Sequence, residues 1–440
     1  MSDRIYVRRY VDPMNPPSMK VFRVGCGKNS GNLIFAASAQ RSVMVDGVDV
    51  EANNLNTLMR SVDRLNEEER HVVIPLANAF RRGYLPQLTA LTSAIEGLTV
   101  PVTILGVGGQ FQLDGTPERS DEVDAAAQRF MRAVLSRGPS IGVRGERTAA
   151  YLSDLGFSEV DVIGCPSMFL RGADLRIRDT APAFDEHTKV SLNLTPHVRI
   201  PKGWVEDVFD RHPRTEYVAQ QVNDLDAMLG GPTVKSTSPG YPGSIRHHAF
   251  LENKAVFHCH APTWIQSMAD REFTVGHRIH GNIASLLSGT PAHVIVHDSR
   301  TRELCEYFEI PHTQVTEHRR EDTPERLFER SDYTRLVQGH PERLARFAGF
   351  LEKHGLRHSL DLPAGEAPFD RAVAQVDVRP GLVVRPRSTE PELMDLRVWN
   401  AARSAHQGIA QAEARAKKLE ARVAELESGN ERRGLFRRSR

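Results

Sequence analysis

The feature that most constrains the fold is a repeated alternation of short β-rich runs with helical stretches. In the first part of the chain, the predicted strands are Val21–Gly25, Ser42–Asp46, His71–Leu76, Val102–Val107 and Ser140–Val143. Stretches that look helical, such as Leu85–Leu98 and Asp121–Leu135, lie between them. Alternation of this kind predicts a mostly parallel sheet, in which helices connect successive strands.

The same alternation begins again after a polar junction at residues 176–187, which contains Pro182. The predicted strands of this second series are Val190–Leu194, Glu216–Ala219, Ala255–Phe257, Phe273–Gly276 and His293–His297. Its predicted helices are Trp204–Arg211, Ile283–Leu287 and Thr301–Phe308. The sequence therefore predicts an α/β protein with two Rossmann-like domains, at residues 19–180 and 181–322, behind an extended lead-in at residues 1–18.

The rest of the chain changes in character. Residues 323–360 are predicted to be a helical segment that packs back on the two domains, and the proline-rich residues 361–392 to be a linker. Residues 393–430 carry a coiled-coil pattern, with apolar residues alternately four and three positions apart: Val398, Ala402, Ala405, Ile409, Ala412, Ala416, Leu419, Val423 and Leu426. This pattern favours self-association or a partner helix through residues 398–426, but the many alanines leave a solitary charged helix open. The basic tail at residues 431–440 either contacts an anionic membrane or stays solvated.

Composition excludes several classes of protein. The chain has 57 basic and 56 acidic residues, so its net charge of +1 gives no reason to expect a nucleic-acid partner. Its cysteines are far apart and form no CxxC pair: Cys26, Cys165, Cys259 and Cys305. The spacing argues against a disulfide scaffold and favours a reducing compartment. Since the chain shows neither an apolar leader nor a long apolar span, we expect a cytoplasmic protein.

The segment His258–His260 has the residue types of a metal site, because a cysteine stands between two histidines. A zinc site would need a second ligand pair at a matching spacing, and the sequence offers no obvious one. We therefore predict no metal.

Two glycine-rich loops follow predicted strands, at the position where parallel sheets bind ligands. The first, Gly25–Ile34, leads into a helical stretch, and the second ends the run Val102–Gly109. Glycines at such positions let a ligand approach the backbone closely. The predicted substrate-binding residues of these loops are Gly27, Gly31, Asn32, Gly108 and Gly109. The alternative is that the glycines only form tight turns.

Two arginines also follow predicted strands. Arg144 ends the run that begins at Ser140, and Arg300 follows the strand that ends at His297. A guanidinium group can bind a carboxylate or phosphate through two parallel hydrogen bonds, so both residues are candidates for binding an anion. The alternatives are an ion pair between Arg144 and Glu146, and a helix-capping surface turn around Arg300.

The segment Arg278–Asn282 carries the clearest chemistry. Arg278 and His280 lie two residues apart between a strand and an apolar helix, so both can face the same side. The positive charge of an arginine and of a helix N-terminus favours an anionic ligand. Imidazole can also move a proton near neutral pH. We therefore predict Arg278 and His280 as catalytic residues and Asn282 as a substrate contact, against the alternative of a structural histidine.

These segments resemble the polysaccharide pyruvyl transferase family. The likeness is strongest over Phe273–Ala284 and Ser288–Pro291, which resemble a strand, an Arg-Leu-His step, a small apolar helix and a Gly-x-Pro turn. Residues 140–156 resemble the family's Val-Arg-Asp segment, and Asp161–Ser167 its Gly-Asp-Pro strand. The likeness covers about residues 20–315 and leaves the coiled-coil end outside it. It implies a GT-B-like arrangement of the two domains, with a C-terminal linker and coiled-coil helix appended to it.

The resemblance also implies an activity. An enzyme of this kind transfers a pyruvyl group from phosphoenolpyruvate to two hydroxyls of a sugar in a cell-surface polysaccharide or its precursor, forming a ketal and free phosphate. Arg278, His280 and Arg144 match the family's motif positions, Arg300 lies where the family often has a lysine, and no cofactor is implied. Cys165 and Asn32 stand where the family usually has aspartates. Two alternatives stay open: a GT-B glycosyltransferase that uses a nucleotide sugar, and a non-catalytic binding or scaffold relative.

Overall fold

The computed structural model describes residues 3–111, 120–179, 182–238 and 240–437, with side chains described as far as residue 425. The strands of the first half are β1 (Arg4–Arg8), β2 (Asp49–Asn53), β3 (His71–Pro75), β4 (Asn78–Phe80), β5 (Val102–Leu105), β6 (Gly108–Gly109), β7 (Ile141–Val143) and β8 (Val160–Val162). Those of the second half are β9 (Val190–Asn193), β10 (Glu216–Ala219), β11 (Ala255–His258), β12 (Phe273–Gly276), β13 (Ala292–Val296), β14 (His312–Gln314) and β15 (Val383–Val384).

Helices cover both faces of the sheets. Those of the first domain are α1 (Met19–Gly25), α2 (Gly31–Val43), α3 (Leu55–Arg60), α4 (Val62–Glu67), α5 (Leu85–Gly97), α6 (Asp121–Leu135) and α7 (Glu146–Asp154). The second domain has α8 (Trp204–Arg211), α9 (Val222–Met228), α10 (His248–Leu251), α11 (Ala261–Met268), α12 (Ile279–Leu287) and α13 (Ser299–Phe308). The C-terminal segment has α14 (Pro324–Glu329), α15 (Thr334–Gln338), α16 (His340–Lys353), α17 (Pro368–Ala374) and α18 (Pro391–Arg437). Short 3-10 turns lie at Arg82–Tyr84, Pro166–Phe169 and Pro380–Leu382.

The first sheet is parallel, with the strand order β2-β1-β3-β5. The pair β7-β8 continues it, because Val107 and Val143 form a parallel bridge at the end of β5. The central residues of its strands β1 and β3 are buried, and most of them are apolar, as expected for a sheet covered by helices on both faces.

The second sheet has the order β14-β13-β12-β9-β10-β11-β15. All its neighbouring strands run parallel except β15, which pairs antiparallel with β11. The strands β9 to β14 thus follow the order 3-2-1-4-5-6 of a doubly wound nucleotide-binding sheet. Strands are added on one side of β9 up to β11 and then on its other side from β12 onward. This switch point between β9 and β12 places a crevice at their carboxyl ends.

Helix α2 joins the two domains. Every residue of it except Asn32 is buried, and it packs against α11 and α12 of the second domain. The loop before it is tied to the second domain by backbone bonds, since the Ser30 amide donates to the Gln220 carbonyl (2.9 Å) and Asn29 bridges Gln221. The glycine-rich loop of the first domain therefore lies at the carboxyl edge of the second sheet.

Several predicted elements are corrected. The lead-in at residues 1–18 is wrong in part, because Arg4–Arg8 forms the buried strand β1 of the first sheet. Val21–Gly25 belongs to helix α1, and residues 42–43 end helix α2. Runs this short cannot be assigned to strand or helix from periodicity alone.

The linker predicted at residues 361–392 is also wrong. Helix α17 and strand β15 lie within it, and the side chains of Phe369 and Val384 are buried. These contacts pack the segment against both the first domain, through α2, and the edge of the second sheet. The predicted domain boundary at residues 180 and 181 lies outside the described residues.

The predicted fold class is confirmed. Two doubly wound parallel-sheet domains are followed by a C-terminal helix of 47 residues. The segment after β12 meets the first domain, since His280 lies against Gly31 and its Nε2 is 3.9 Å from Sγ of Cys165. The charge of Arg144, which follows β7, contributes to lowering the pKa of His280. This is the GT-B-like arrangement that the resemblance implied. Among the described residues, no helix is long and apolar enough to span a membrane.

Candidate active site

The crevice between β9 and β12 positions the predicted catalytic segment. Asn193 and Gly276 pair at the ends of these two strands, and the chain then turns into helix α12. The amide of Arg278 donates to Oδ1 of Asn193 (2.9 Å), so the end of β9 fixes the turn that precedes α12. In a doubly wound sheet this crevice is the expected ligand site.

Asn282 holds the same turn from within α12. Its side chain is fully buried, and Nδ2 donates to the carbonyl of Arg278 (3.0 Å) and to Oδ1 of Asn193 (3.2 Å). The amide nitrogen of Asn282 therefore holds the turn at Arg278, while its Oδ1 has no hydrogen-bond partner among the described residues. The predicted substrate contact of Asn282 stays a prediction.

His280 lies at the junction of the two domains. Its ring packs against Gly31 of α2, where an added Cβ would lie 2.8 Å from the Cβ of His280. On its other side, Nε2 is 3.9 Å from Sγ of Cys165. The first domain thus forms much of the wall around an imidazole that the second domain supplies.

The electrostatic environment keeps His280 neutral. Burial, followed by the charges of Arg144 and Arg278, lowers its pKa from 6.5 to about 3. At neutral pH the imidazole therefore carries no charge and can accept a proton. An anion bound between the two arginines would raise this pKa, because it would offset their positive charge.

Arg144 enters the cleft from the first sheet. It follows β7, and its amide donates to the carbonyl of Val107 (3.0 Å). Its guanidinium lies against Gly108, where any side chain would collide with Nε. Arg144 is almost fully buried, and its Nε has no hydrogen-bond partner among the described residues. Burial lowers the pKa of Arg144, as expected of a charge removed from water.

Arg144 and Arg278 share a second property. Neither guanidinium forms an ion pair with a carboxylate in the part of the chain that the structure describes, whereas Arg300 pairs with Asp298. Burial lowers the pKa of Arg278, while the field of Asp224 and its tyrosine neighbours opposes this shift. A buried and a half-buried cation without an ion-pair partner make a strong site for an anion, because desolvation strengthens their attraction for it.

Arg300 lies near Arg144 and Arg278, but its guanidinium is ion-paired with Asp298. Its charge contributes to lowering the pKa values of both Arg144 and Arg278. Its Nε donates to Oδ2 of Asp298 (3.0 Å), and Asp298 also caps helix α13 through Thr301 (2.8 Å). Burial alone would raise the pKa of Asp298, but the Arg300 charge holds it well below its usual range. Arg300 therefore lies near Arg144 and Arg278, as predicted for an anion contact, and also in a helix-capping turn, which was the alternative prediction.

The predicted loop residues differ in what they contact. Gly31 and Gly108 make room for the side chains of His280 and Arg144. Gly27, with φ +65°, lies beneath the ring of Tyr10.

The remaining two loop residues serve local structure. Nδ2 of Asn32 donates to the carbonyl of Cys26 (3.1 Å), which closes the loop on itself. The amide of Gly109 donates to Oγ1 of Thr148 (3.3 Å). These polar groups are engaged within the protein, and the predicted substrate contacts of Asn32 and Gly109 stay predictions.

A buried network behind Arg278 was missed by the sequence interpretation. Oη of Tyr241 donates to Oδ1 of Asp224 (2.7 Å) and lies 2.7 Å from Oη of Tyr217. Burial raises the pKa of Asp224 to about 6. Asp224 and Tyr241 are distant from Arg278 in sequence and belong to no motif, so only the folded chain brings them together with it.

Comparison with known proteins addresses the family and the fold. The model of the Polysaccharide pyruvyl transferase family matches residues 30–228, a segment that includes Arg144 and ends before Arg278. No curated protein matches the chain.

Similar solved structures include three proteins of low sequence identity. The Anabaena protein Alr3699/HepE, in complex with UDP and glucose, is 11% identical, with 81% of this chain and 98% of that chain covered at a TM-score of 0.39. A putative UDP-N-acetylglucosamine 2-epimerase from Listeria monocytogenes is 8% identical, with 85% and 94% covered at 0.37. MnaA of S. aureus with UDP is 10% identical, with 80% and 98% covered at 0.37. The family resemblance seen in the sequence is thus confirmed for residues 30–228, which match the polysaccharide pyruvyl transferase family.

Proposed function

We propose that the protein transfers a pyruvyl group from phosphoenolpyruvate to a sugar of a cell-surface polysaccharide or its precursor, forming a pyruvate ketal. The observation that carries this proposal is the convergence of Arg144 and Arg278, neither of them ion-paired among the described residues, on the neutral imidazole of His280. Phosphoenolpyruvate has a carboxylate and a phosphate, and each suits one guanidinium. The reaction needs no metal or other cofactor, because the donor supplies both the carbon unit and the leaving group.

The reaction balances without a further reagent. A proton adds to the methylene carbon of phosphoenolpyruvate, and a sugar hydroxyl adds to C2 and loses its proton. The C2–O bond to phosphate then breaks, and a second hydroxyl closes the ketal and releases its proton to the phosphate. His280 is neutral before the donor binds and can take up a proton once the donor's charge raises its pKa. It can then deliver that proton to carbon or accept the hydroxyl's proton.

A cavity of about 390 Å³ at the carboxyl ends of β1 and β2 suits the acceptor sugar. The arginines in its lining are engaged internally: Arg8 donates to the carbonyl of Pro75 (2.7 Å) and Arg9 pairs with Asp12 (2.6 Å). The amides of Asn15 and Asn56 are exposed in it, and the ring of Tyr10 forms part of its wall. Amides and an aromatic ring match a neutral ligand rich in hydroxyl groups.

The direct test is to incubate the full-length protein with phosphoenolpyruvate and galactosyl, mannosyl or glucosyl acceptors and to follow phosphate release. We expect release that depends on one acceptor class and is lost in His280→Gln. Absence of release with every acceptor, together with no heat of phosphoenolpyruvate binding in calorimetry, rejects the proposal. Release of nucleoside diphosphate from a nucleotide sugar would instead support a glycosyltransferase.

We also propose that the seam at residues 398–426 pairs with a second copy of this chain in parallel. In the described part of the chain, Ile409, Leu419 and Val423 of this seam are more than half exposed. Arg415 precedes one seam position and Glu420 follows the next. In a parallel coiled coil these positions face each other across the two helices, whereas an antiparallel pair would oppose like charges.

Sedimentation tests this pairing. The full chain should form a dimer, Glu420→Arg should weaken it, and the double change Arg415→Glu with Glu420→Arg should restore it. A monomeric wild type, or no response to either change, contradicts the pairing.

For the cell, we propose a cytoplasmic enzyme whose tail, residues 431–440, contacts the inner face of an anionic membrane. The side chains of this tail lie outside the described residues.

A further inference from the structure

Another cavity, of about 610 Å³, lies at the carboxyl ends of β9, β13 and β14, beside the candidate active site. We call it the imidazole cavity. Its charged and titratable lining consists of His197, Arg199, His297, His318, Arg319 and Arg320. No acidic side chain lines it in the part of the chain that the structure describes. Of these residues only His297 lies in a segment that the sequence analysis singled out, because the lining comes from three separate strand ends.

The wall of this cavity contains an imidazole with unmet hydrogen-bonding capacity. His318 is 3% exposed, and neither of its ring nitrogens has a partner among the described residues. It stands edge-on against the ring of Trp204, with ring centroids 4.8 Å apart. Nδ1 of His297 is also without a partner there. Buried polar groups without partners are costly, and a ligand that supplies those partners offsets the cost.

The charge at the rim of the cavity is positive and largely uncompensated. Arg199 is exposed and has no ion pair in the described chain, and Arg319 donates only to carbonyls, including that of Thr316 (2.6 Å). Arg320, by contrast, pairs with Asp207 (2.6 Å). Two cations therefore remain to attract an anion to the unpartnered imidazole of His318, whereas Nε2 of His297 lies 3.5 Å from Oδ2 of Asp298.

A metal ion fits this group of histidines poorly. Within the described residues, no set of three or more His, Cys, Asp or Glu side chains could hold a metal. Burial, as the largest cause, lowers the pKa of His297 and of His318 to about 4, so each imidazole is neutral and keeps one N–H donor. Neutral imidazole donors together with guanidinium groups match the oxygens of a phosphate.

The cavity lies close to the residues of the candidate active site. The ring of His297 lies 5.9 Å from that of His277, which directly precedes Arg278. The charge of Arg278 also contributes to lowering the pKa of His197 at the cavity rim. A ligand bound in this cavity would therefore lie next to the site proposed for phosphoenolpyruvate.

We propose that this cavity binds a phosphate group that is separate from the phosphate of bound phosphoenolpyruvate. The inference rests on the proposed function for its role in turnover. The phosphate has two sources in that reaction: the inorganic phosphate released from the donor, or a phosphate carried by the acceptor sugar. Both present the same oxygens to Arg199, Arg319 and the imidazoles.

Calorimetry tests the site with the full-length protein. Inorganic phosphate and pyrophosphate are titrated into protein that is already saturated with phosphoenolpyruvate. We expect binding that weakens by about 10²- to 10⁴-fold when Arg199→Ala and Arg319→Ala are combined, the loss typical of two charged hydrogen-bonding groups. Arg132→Ala, which removes an exposed arginine of α6 in the first domain, is the control for losing a surface cation elsewhere and should change nothing.

Kinetics with the same variants separate the two sources. If the site holds released phosphate, inhibition by inorganic phosphate weakens in the double variant while the KM of the acceptor stays constant. If it holds the acceptor's phosphate, the KM of a diphosphate-linked sugar rises while that of phosphoenolpyruvate does not.

Each failure has its own signature. No heat from either anion in the wild type, or binding that the double variant leaves unchanged, overturns the proposed site while phosphoenolpyruvate binding stands. Absence of phosphoenolpyruvate binding with intact pyrophosphate binding overturns the proposed function alone.

Discussion

The carboxyl edges of the two sheets differ in what they offer a ligand. The edge of the second sheet carries Arg278 and His280 at its crevice, with the imidazole cavity beside them. The cavity at the edge of the first sheet has internally paired charges and exposed amides, and Arg144 is the charged group that this sheet sends into the cleft. The difference indicates that the second domain is built for anions and the first for a neutral ligand. This division matches a charged donor and a sugar acceptor.

The largest effect is expected from the second sheet. Replacing His280 by Gln or Arg278 by Met should lower kcat/KM for phosphoenolpyruvate by about 10²–10⁴-fold, the range for losing a general acid–base group or a charge-stabilising donor. Steady-state phosphate release measures this loss, and a melting temperature close to that of the wild type serves as the folding control. Activity retained within a few-fold in both variants would break the comparison.

Arg144 tests the share of the first sheet in donor binding. Arg144→Met keeps the volume but removes the charge, so phosphoenolpyruvate should bind about 10- to 100-fold more weakly, as for one charge-assisted contact. Calorimetry gives the dissociation constant directly. An unchanged dissociation constant would show that the donor is bound by the second domain alone.

Gly31 tests whether the first domain supports His280. In Gly31→Ala the new Cβ would lie 2.8 Å from the Cβ of His280, so the imidazole must move and kcat should fall by about tenfold or more. Gly349→Ala, at an exposed position of α16 with no atom within 4 Å of the new Cβ, is the control. That change should leave kcat unaltered and raise stability by up to about 1 kcal/mol, since alanine is the better helix former. Equal kcat values in the two variants would contradict the packing described for His280.

The exposed amides of the first sheet should affect the acceptor alone. Asn15→Ala and Asn56→Ala should each raise the KM of the sugar acceptor by about fivefold, the value of one ordinary hydrogen bond, and leave the KM of phosphoenolpyruvate unchanged. Initial rates with each substrate varied in turn measure both constants. An effect on the donor constant instead would reverse the assignment of the two edges.

The smallest expected effect is the uptake of part of a proton when phosphoenolpyruvate binds. The pKa of His280 is lowered to about 3 in the free protein, so the residue is unprotonated between pH 5.5 and 7, and the charge of a bound anion raises this pKa. Binding of phosphoenolpyruvate should therefore take up a fraction of a proton and tighten as the pH falls. Calorimetry in buffers of different ionisation enthalpy measures the uptake, with His280→Gln as the reference for protonation of the ligand itself. Identical uptake in the two proteins would exclude His280.

The sequence alone identified candidate site residues where a reactive side chain directly follows a predicted strand. A strand followed by Arg278 and His280 and then an apolar helix is readable in one dimension, and so is Arg144 at the end of β7. The sequence could not show that the amide nitrogens of Asn32 and Asn282 are bonded within the protein, because a residue type does not reveal where its side chain points.

Other parts of the site arise only in three dimensions. Asn193, Asp224 and the imidazole cavity meet Arg278 through the doubly wound strand order, which no local pattern encodes. Strand β1 was missed because five residues with charged ends give no clear alternation, although both faces of its centre are buried.

The most direct test of the central claim is a crystal structure of the complex with phosphoenolpyruvate. The account predicts density for the donor between the guanidinium groups of Arg144 and Arg278, with its C2 and C3 atoms beside the ring of His280. Density in another cavity, or a donor that contacts only one of the two arginines and leaves His280 out of reach, would contradict it.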